Sequence, residues 1–484
     1  MFFDDSSELR RDDPGTNRAP LRLSPRQMRA VGYRAVDEII EHLTTLESRP
    51  VGRAHHPEEI RKRLDLAIPA GPAAVEDVLD DALALIRDTI THTDHPRFMA
   101  YVPGPSNYVS AIADFIASGL NVHAGAWVLG AGPAVIEQVT VGWLSQLCGL
   151  PDSAGGLFVS GGSMASLVAI HAARCDRLGD NPDGVIYLST QTHASIRRGL
   201  RFLGLADRQV RVVEVDRQHR LDRGSLAARI EEDVRRGLTP FCVVATAGAT
   251  STGAVDPLPA IAELCAERAV WLHVDAAYGA AAVITARGKE LLTGLERADS
   301  IAVDPHKWWF QPYEAGCVLI RDAATLENAY HLHAEYLRET RLGSGPLNFY
   351  DLGPQLTRGF RALKLWLSLR TFGLDAFRRA VEHGLALAEH AQAVLASRPH
   401  WQVVTPAQLA ILTFRPRRPG LRESDVDALT RALAARTVEE GFGTVLSTDV
   451  DGRPVLRMCT IHPETTGAEI TAIIDHLERL VPEL

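Results

Sequence analysis

Five short stretches of the sequence place reactive side chains directly after apolar runs. Residues Ser300–Trp309 read S-I-A-V-D-P-H-K-W-W, so Lys307 follows a strand-like run and a turn at Asp304-Pro305, beside His306 and ahead of two tryptophans. Burial without a partner lowers a lysine pKa by disfavouring the ammonium, which is the condition for a nucleophilic amine able to form a Schiff base. Ser160-Gly161-Gly162-Ser163 follows the run Leu157-Phe158-Val159 and opens a helix. Glycines there let backbone N–H groups approach an anion, and the helix N-terminus adds a favourable term of about 0.3–1 kcal/mol. His193 stands in Gln191-Thr192-His193-Ala194-Ser195, just after Val185–Leu188. Thr246 ends Phe241–Ala245, and Asp275 ends Trp271–Val274, where a carboxylate is costly to bury without a partner.

One ligand suits all five stretches: pyridoxal 5′-phosphate (PLP). Gly162 and Ser163 supply the phosphate cradle, and Lys307 the amine for the aldehyde. Asp275 supplies the carboxylate that keeps the pyridine nitrogen protonated, and His193 a flat group over the ring. A protonated ring is an electron sink, and the protein's part is positioning and electrostatics. Each pKa unit by which Asp275 raises the ring nitrogen is worth about 1.4 kcal/mol.

These residues need a scaffold that brings them to one edge. Between His95 and about Arg361, apolar runs at Val185–Leu188, Val210–Val215, Phe241–Ala245, Trp271–Val274, Ile301–Val303 and Cys317–Ile320 alternate with helical patterns. The helical patterns are Ser163–Leu178, Ser195–Leu203, Ser225–Arg236 and Pro257–Arg268. Such alternation predicts an α/β domain with a mostly parallel sheet, whose ligands bind outside the carboxyl ends of the strands. Three amphipathic helices precede it: one opened by Ser24-Pro25, a short one near Pro57, and one over Ala74–Thr91. Their apolar side must be buried on the next domain or on a second subunit. Beyond Ala362 the pattern is helical to Ser397, with strand-like pieces at Ala410–Phe414 and Val455–Cys459 and helices at Ser424–Gly441 and Thr466–Leu480. The expected organisation is therefore residues 1–92, a tail and helices; 93–361, a large PLP-binding domain; and 362–484, a small α+β domain.

Composition excludes other classes. The 484 residues carry a net charge of −9, so there is no basic footprint for nucleic acid. No phosphate fingerprint of the GxGxxG or GxxxxGK[ST] kind is present. The six cysteines, at 148, 175, 242, 265, 317 and 459, form no CxxC pair and no zinc spacing. They are expected to be mostly core residues in a reducing compartment. No signal-peptide or transmembrane stretch is visible, and the expectation is a soluble, cytoplasmic protein without metal, membrane or nucleic-acid partners.

At these motifs the sequence resembles the group II PLP-dependent amino-acid decarboxylases, the aromatic-L-amino-acid decarboxylase-like family of aspartate-aminotransferase fold (fold type I). The matching words are His95-Pro96-Arg97-Phe98-Met99-Ala100-Tyr101, Ser160–Ser163, Gln191–Ser195, His273-Val274-Asp275-Ala276-Ala277-Tyr278, Asp304-Pro305-His306-Lys307-Trp308 and Arg361-Ala362-Leu363-Lys364-Leu365-Trp366. The resemblance implies that Lys307 is the Schiff-base lysine and Asp275 the pyridinium partner. It implies that His193 stacks on the ring and faces the substrate carboxylate, with Ala277 on the other ring face. Gly162 and Ser163 would hold phosphate, with Thr246 and His306 close by. It further implies a homodimer wrapped by the N-terminal helices, and a closing loop over about Leu326–Phe349 that carries a catalytic tyrosine, here Tyr336.

The resemblance has departures. Many relatives have Asn where Asp304 stands; an ionised carboxylate there would repel the cofactor, so Asp304 is expected to point away or cap the turn. Aromatic-specific members carry bulky side chains where this chain has Val102, Gly104 and Gly125, and His123 adds a polar group. The reading is an L-amino-acid α-decarboxylase that releases an amine and carbon dioxide, with an aromatic or bulky substrate. The alternatives are an acidic substrate of the glutamate or cysteine sulfinate type, a PLP-dependent aldehyde synthase that would have lost the loop tyrosine, and a non-enzymatic PLP-binding protein.

Overall fold

Seven apolar runs become the strands of one sheet in the computed structural model, which describes residues 21–52, 54–64, 67–179, 181–331 and 347–481. They are β1 (Gly155–Val159), β2 (Gly184–Ser189), β3 (Val210–Val213), β4 (Thr239–Thr246), β5 (Trp271–Asp275), β6 (Ser300–Val303) and β7 (Gly316–Ile320), in the spatial order β1-β7-β6-β5-β4-β2-β3. β7 runs antiparallel to both its neighbours and every other pair is parallel, so six strands point one way. Side chains alternate between the two faces. Val243, Leu272, Val274 and Ile301 enter one apolar cluster, and Ile186, Val244, Ala302 and Val318 enter the other. Burial on both faces is why these strands read as unbroken apolar runs rather than as alternation.

The helices are α1 (Pro25–Thr45), α2 (Pro57–Arg61), α3 (Val75–Thr89), α4 (Tyr108–Gly119), α5 (Trp127–Leu147), α6 (Gly162–Arg177), α7 (Ala194–Phe202), α8 (Arg223–Arg235), α9 (Leu258–Glu267), α10 (Ala286–Leu291), α11 (Ala324–Tyr330), α12 (Ala362–Ala396), α13 (Glu423–Glu440) and α14 (Gly467–Leu480). A second, antiparallel sheet has the order β10-β11-β9-β8, with β8 (Trp401–Gln408), β9 (Ile411–Pro416), β10 (Leu446–Val450) and β11 (Arg453–Cys459). The fold is of the aspartate-aminotransferase type, as the motifs predict. Neither β8 nor β10 was expected. Both are edge strands whose exposed side chains break the apolar pattern, and Pro406 inside β8 is tolerated because an edge strand need not donate every N–H. Helices α4 and α5 were not expected either. Gly130 and Pro133 interrupt the pattern of α5, and the helix kinks at Gly130.

The chain divides into two compact units, Met1–Arg49 with His55–Ile90, and Pro50–Ala54 with Thr91–Leu484. In the first, Ser24 caps α1 by accepting the Gln27 N–H, while the Gln27 side chain accepts the Ser24 N–H. Arg34–Asp80 at 3.1 Å and Arg87–Glu38 at 3.2 Å tie α1 to α3. Ile39, Ile40, Val78 and Ile86 remain exposed on these helices. The second unit holds both sheets. No helix among the described residues is long and apolar enough to cross a membrane.

Candidate active site

Five parallel strands deliver their carboxyl ends to one edge of the large sheet. β1 leads into Ser160–Ser163, β2 into His193, β4 ends on Thr246, β5 on Asp275, and β6 leads into Asp304–Lys307. Register fixes their spacing: Thr246 is paired with Asp275, and Asp275 with Ala302, across β4, β5 and β6. A cavity of about 330 Å³ opens there, lined by Gly162, Ser163, His193, Thr246, Asp275, Ala277, His306 and Lys307. The residues read from the sequence as catalytic or cofactor-binding are thus brought together except Tyr336, which with residues 332–346 lies outside the described residues; of the pocket positions Val102 lines the cavity, and Gly104, His123 and Gly125 are not among its lining residues. The ends of the expected loop are ordered elements: Leu326 is buried in α11, and Phe349 packs in the core.

Lys307 is held in the turn after β6, its N–H donating to the Asp304 carbonyl at 3.0 Å. Its Nζ lies 2.8 Å from Asp304 Oδ2. Two expectations change here. Asp304 does not point away; it faces the lysine, because a half-buried ammonium favours a carboxylate partner. Burial pulls the Lys307 pKa down, yet Asp304 and then Asp275 outweigh it and hold the ammonium above its ordinary range. His306 Nδ1 accepts the Ala315 N–H at 3.1 Å, which turns Nε2 toward Asp304 at 3.6 Å. Burial lowers the His306 pKa and keeps the ring neutral.

Asp275, 9 % exposed, accepts the Ala277 N–H at 3.2 Å. Burial raises its carboxyl above the usual range, with the Lys307 charge pulling the other way. His193 caps α7, and its Nδ1 lies 2.7 Å from Ser195 Oγ. Helix α6 begins at Gly162, so the Gly162 and Ser163 N–H groups lack intrahelical acceptors. A Cβ on Gly162 would stand 2.9 Å from Asp304 Oδ2 and 3.1 Å from the Ala277 methyl, so only glycine leaves the cradle open.

Several residues escaped the sequence reading. Asp256, buried behind Thr246, accepts the Thr246 and Leu221 N–H groups, each at 2.7 Å, and burial pushes its pKa up to about 6. An Asp-Pro pair ten residues past the strand end was the available signal. Lys364, from the RALKLW motif, is buried and bonds Asp114 and the carbonyls of Pro312 and Glu314. It pins the segment after Lys307, whose Glu314 lines the cavity and pairs with Arg361 at 2.9 Å. Gly104 and Gly125 leave no gap. A Cβ on Gly104 would strike the Tyr313 hydroxyl, and one on Gly125 would come 2.5 Å from the Leu356 carbonyl. His123 Nδ1 accepts the N–H groups of Gly125 and Ala126.

The donor set fits PLP. Thr246 Oγ1 is buried without a hydrogen-bond partner among the described residues, and Thr246 lines one cavity with the glycines at the start of α6, the Asp275 carboxylate and Lys307. A family model described as the pyridoxal-dependent decarboxylase conserved domain matches residues 57–417. The chain belongs to this family. An aromatic-L-amino-acid decarboxylase of Bacillus atrophaeus is 43% identical over 467 residues, 96% of this chain and 97% of that protein. A phenylacetaldehyde synthase of Arabidopsis thaliana is 29% identical, covering 94% of this chain and 95% of that protein. The crystal structure of Oryza sativa TDC with PLP and tryptamine matches with a TM-score of 0.90 at 28% identity, covering 96% of this chain and 99% of that one. This pyridoxal-dependent decarboxylase therefore uses PLP to remove the carboxyl group of an amino acid, leaving the amine and carbon dioxide.

Proposed function

We propose that this decarboxylase acts on aromatic L-amino acids, with Lys307 as the cofactor-bearing lysine. The observation that carries the substrate class is the charge of the cavity. Among the described residues lining it, Lys307 is the only lysine or arginine, and Asp275, Asp304 and Glu314 contribute carboxylates. An acidic substrate side chain would need a cation; of those nearby, Arg361 is engaged by Glu314, Lys364 by Asp114, and Arg457 lies outside the lining and donates to the Thr250 and Tyr101 carbonyls. An indole or phenol needs none and gains about 25 cal/mol per Å² of apolar surface buried.

Bound PLP supplies the electron sink for the pair left when the Cα–carboxylate bond breaks. The chain's own residues do the rest. Gly162 and Ser163 N–H groups and the Thr246 hydroxyl bind phosphate, with His306 Nε2 alongside. Asp275 keeps the proton on the ring nitrogen. His193 would lie over the ring and meet the substrate carboxylate, and Ala277 would pack on the opposite side. Tyr336 delivers a proton to the α-carbon, which yields amine rather than aldehyde. The enzyme works as a homodimer: a partner subunit covering Ile39, Ile40, Val78 and Ile86 would bury the apolar faces that α1 and α3 expose. The cytoplasm suits its six unpaired cysteines, five of them buried.

Three measurements test this. Borohydride reduction followed by peptide mapping is expected to place the pyridoxyl group on Lys307, and a label on another lysine rejects that assignment. kcat/KM is expected to be higher for tryptophan, tyrosine and phenylalanine than for glutamate, aspartate, cysteine sulfinate, leucine and valine. A preference for an acidic substrate overturns the aromatic reading. Light scattering of the purified enzyme checks the dimer.

A further inference from the structure

Asp304 is a buried charged group in the cavity lining that the proposed reaction leaves without a task. Its backbone is fixed by the N–H donating to the Ala277 carbonyl at 2.7 Å. Its side chain has two neighbours with opposed demands. Oδ2 is 2.8 Å from Lys307 Nζ, and the same oxygen is 2.9 Å from where a Gly162 Cβ would lie, at the mouth of the phosphate cradle. Oδ1 is buried and has no hydrogen-bond partner among the described residues. The carboxylate therefore suits an ammonium at Lys307 and opposes a dianionic phosphate at Gly162.

We infer that Asp304 is a lock on cofactor capture: it holds Lys307 in the ammonium form and sets a negative charge against the phosphate cradle, so PLP is taken up only when this pair is broken. The inference rests on Lys307 being the cofactor-bearing lysine. Capture forms a C=N bond between Nζ and the aldehyde carbon and expels the aldehyde oxygen as water. Nζ must first present a lone pair, so the ammonium gives one proton to solvent, which its 26 % exposed side chain can reach.

The other groups facing the pair do not replace the lock. His306, on the same turn, is held below its ordinary pKa by burial, which outweighs the opposing Asp304 charge, with the Lys307 and Lys364 charges acting in the same direction as burial. Asp275 at the end of β5 also favours the ammonium, and Asp304 is the carboxylate in contact with it. His193 at the start of α7 faces Asp275. Tyr313, raised by burial, stays a neutral phenol near pH 7. Glu314 is engaged by Arg361.

The test strips the full-length protein of cofactor, adds PLP, and follows the visible absorbance of the lysine-linked cofactor by stopped flow from pH 6.5 to 9. Wild type should capture faster as pH rises, approaching tenfold per unit below the Lys307 pKa. Asp304→Asn should capture about tenfold or more faster at pH 7, the effect of removing one opposite charge within 4 Å, and its rate should level off at lower pH. PLP should also raise the melting temperature of Asp304→Asn more than that of wild type. Asp304→Ser, which removes the same charge, should behave alike if the amide perturbs folding. Variants that capture PLP no faster than wild type overturn the lock. So does a wild-type rate that is flat from pH 6.5 to 9, which needs no variant. If wild type does not carry PLP on Lys307 after borohydride reduction, the assignment of the lysine has failed instead.

Discussion

Arg358 and Glu137 form an ion pair shut off from solvent, with side chains 1 % and 0 % exposed and Nη2 2.6 Å from Oε1. They share a third element. Glu137 Oε1 accepts the Phe158 N–H at 2.8 Å, and Arg358 donates to the Phe158 carbonyl at 2.7 Å. β1 is the edge strand of the large sheet, so this pair supplies the hydrogen bonds that a neighbouring strand would otherwise make. Phe158 lies two residues before Ser160, where the proposed phosphate cradle begins.

Arg358→Ala is therefore expected to cost about 3–5 kcal/mol, because it strands the Glu137 carboxylate in the core. The melting temperature at fixed protein and PLP concentrations is the measure. Replacing both partners, Arg358→Met with Glu137→Leu, should recover only part, since the Phe158 N–H and carbonyl lose their acceptor and donor. A single variant as stable as the parent would show that the pair contributes nothing.

His273 gives a pH prediction. It lies two residues before Asp275 on β5, with Nδ1 2.9 Å from Ser300 Oγ and Nε2 3.1 Å from Ser166 Oγ. Burial lowers its pKa to about 3. The unfolded chain takes up a proton near pH 6.5 and the folded one does not, so this group's contribution is full above 6.5. It falls by about 1.4 kcal/mol per unit as pH drops toward 3. In His273→Gln the slope of stability against pH between 6 and 4 should be shallower by about one proton. An unchanged slope would place the acid sensitivity elsewhere, His462 being the next buried histidine, lowered by burial to about 4.

Asp275→Ala should still take up PLP through Lys307 and the phosphate cradle. Its turnover should fall by about a hundredfold or more, which corresponds to two pKa units at the ring nitrogen at about 1.4 kcal/mol each. Steady-state decarboxylation with PLP in excess measures this. Near-normal turnover rules out the pairing with the ring nitrogen.

Tyr336→Phe should leave PLP binding intact and slow amine release. Part of the flux should then consume oxygen and yield aldehyde, ammonia and hydrogen peroxide, because the α-carbon waits unprotonated. An oxygen electrode and an aldehyde assay read the outcome. Amine formation at the parental rate without aldehyde means the tyrosine only packs.

The large sheet and the reactive residues were legible in the sequence for one reason. Strands buried on both faces are apolar throughout, so Thr246, Asp275 and Lys307 stood out as polar residues at their ends. Strands β8 and β10 were not legible, because an edge strand keeps half its side chains in solvent. Local order also could not tell His273 from Asp275, both polar residues in one strand. The first is locked between two serines from α6 and β6, and the second reaches the cavity, a difference made by what packs against each. The partner of Asp304 was likewise undecided, since a carboxylate beside a turn can cap, face water or pair. The sequence alone marked the residues that are proposed to hold PLP. Tertiary structure decided that Asp304 turns inward, because the Lys307 ammonium lies 2.8 Å away, and that the spaces beside Gly104 and Gly125 are filled by Tyr313 and the Leu356 backbone.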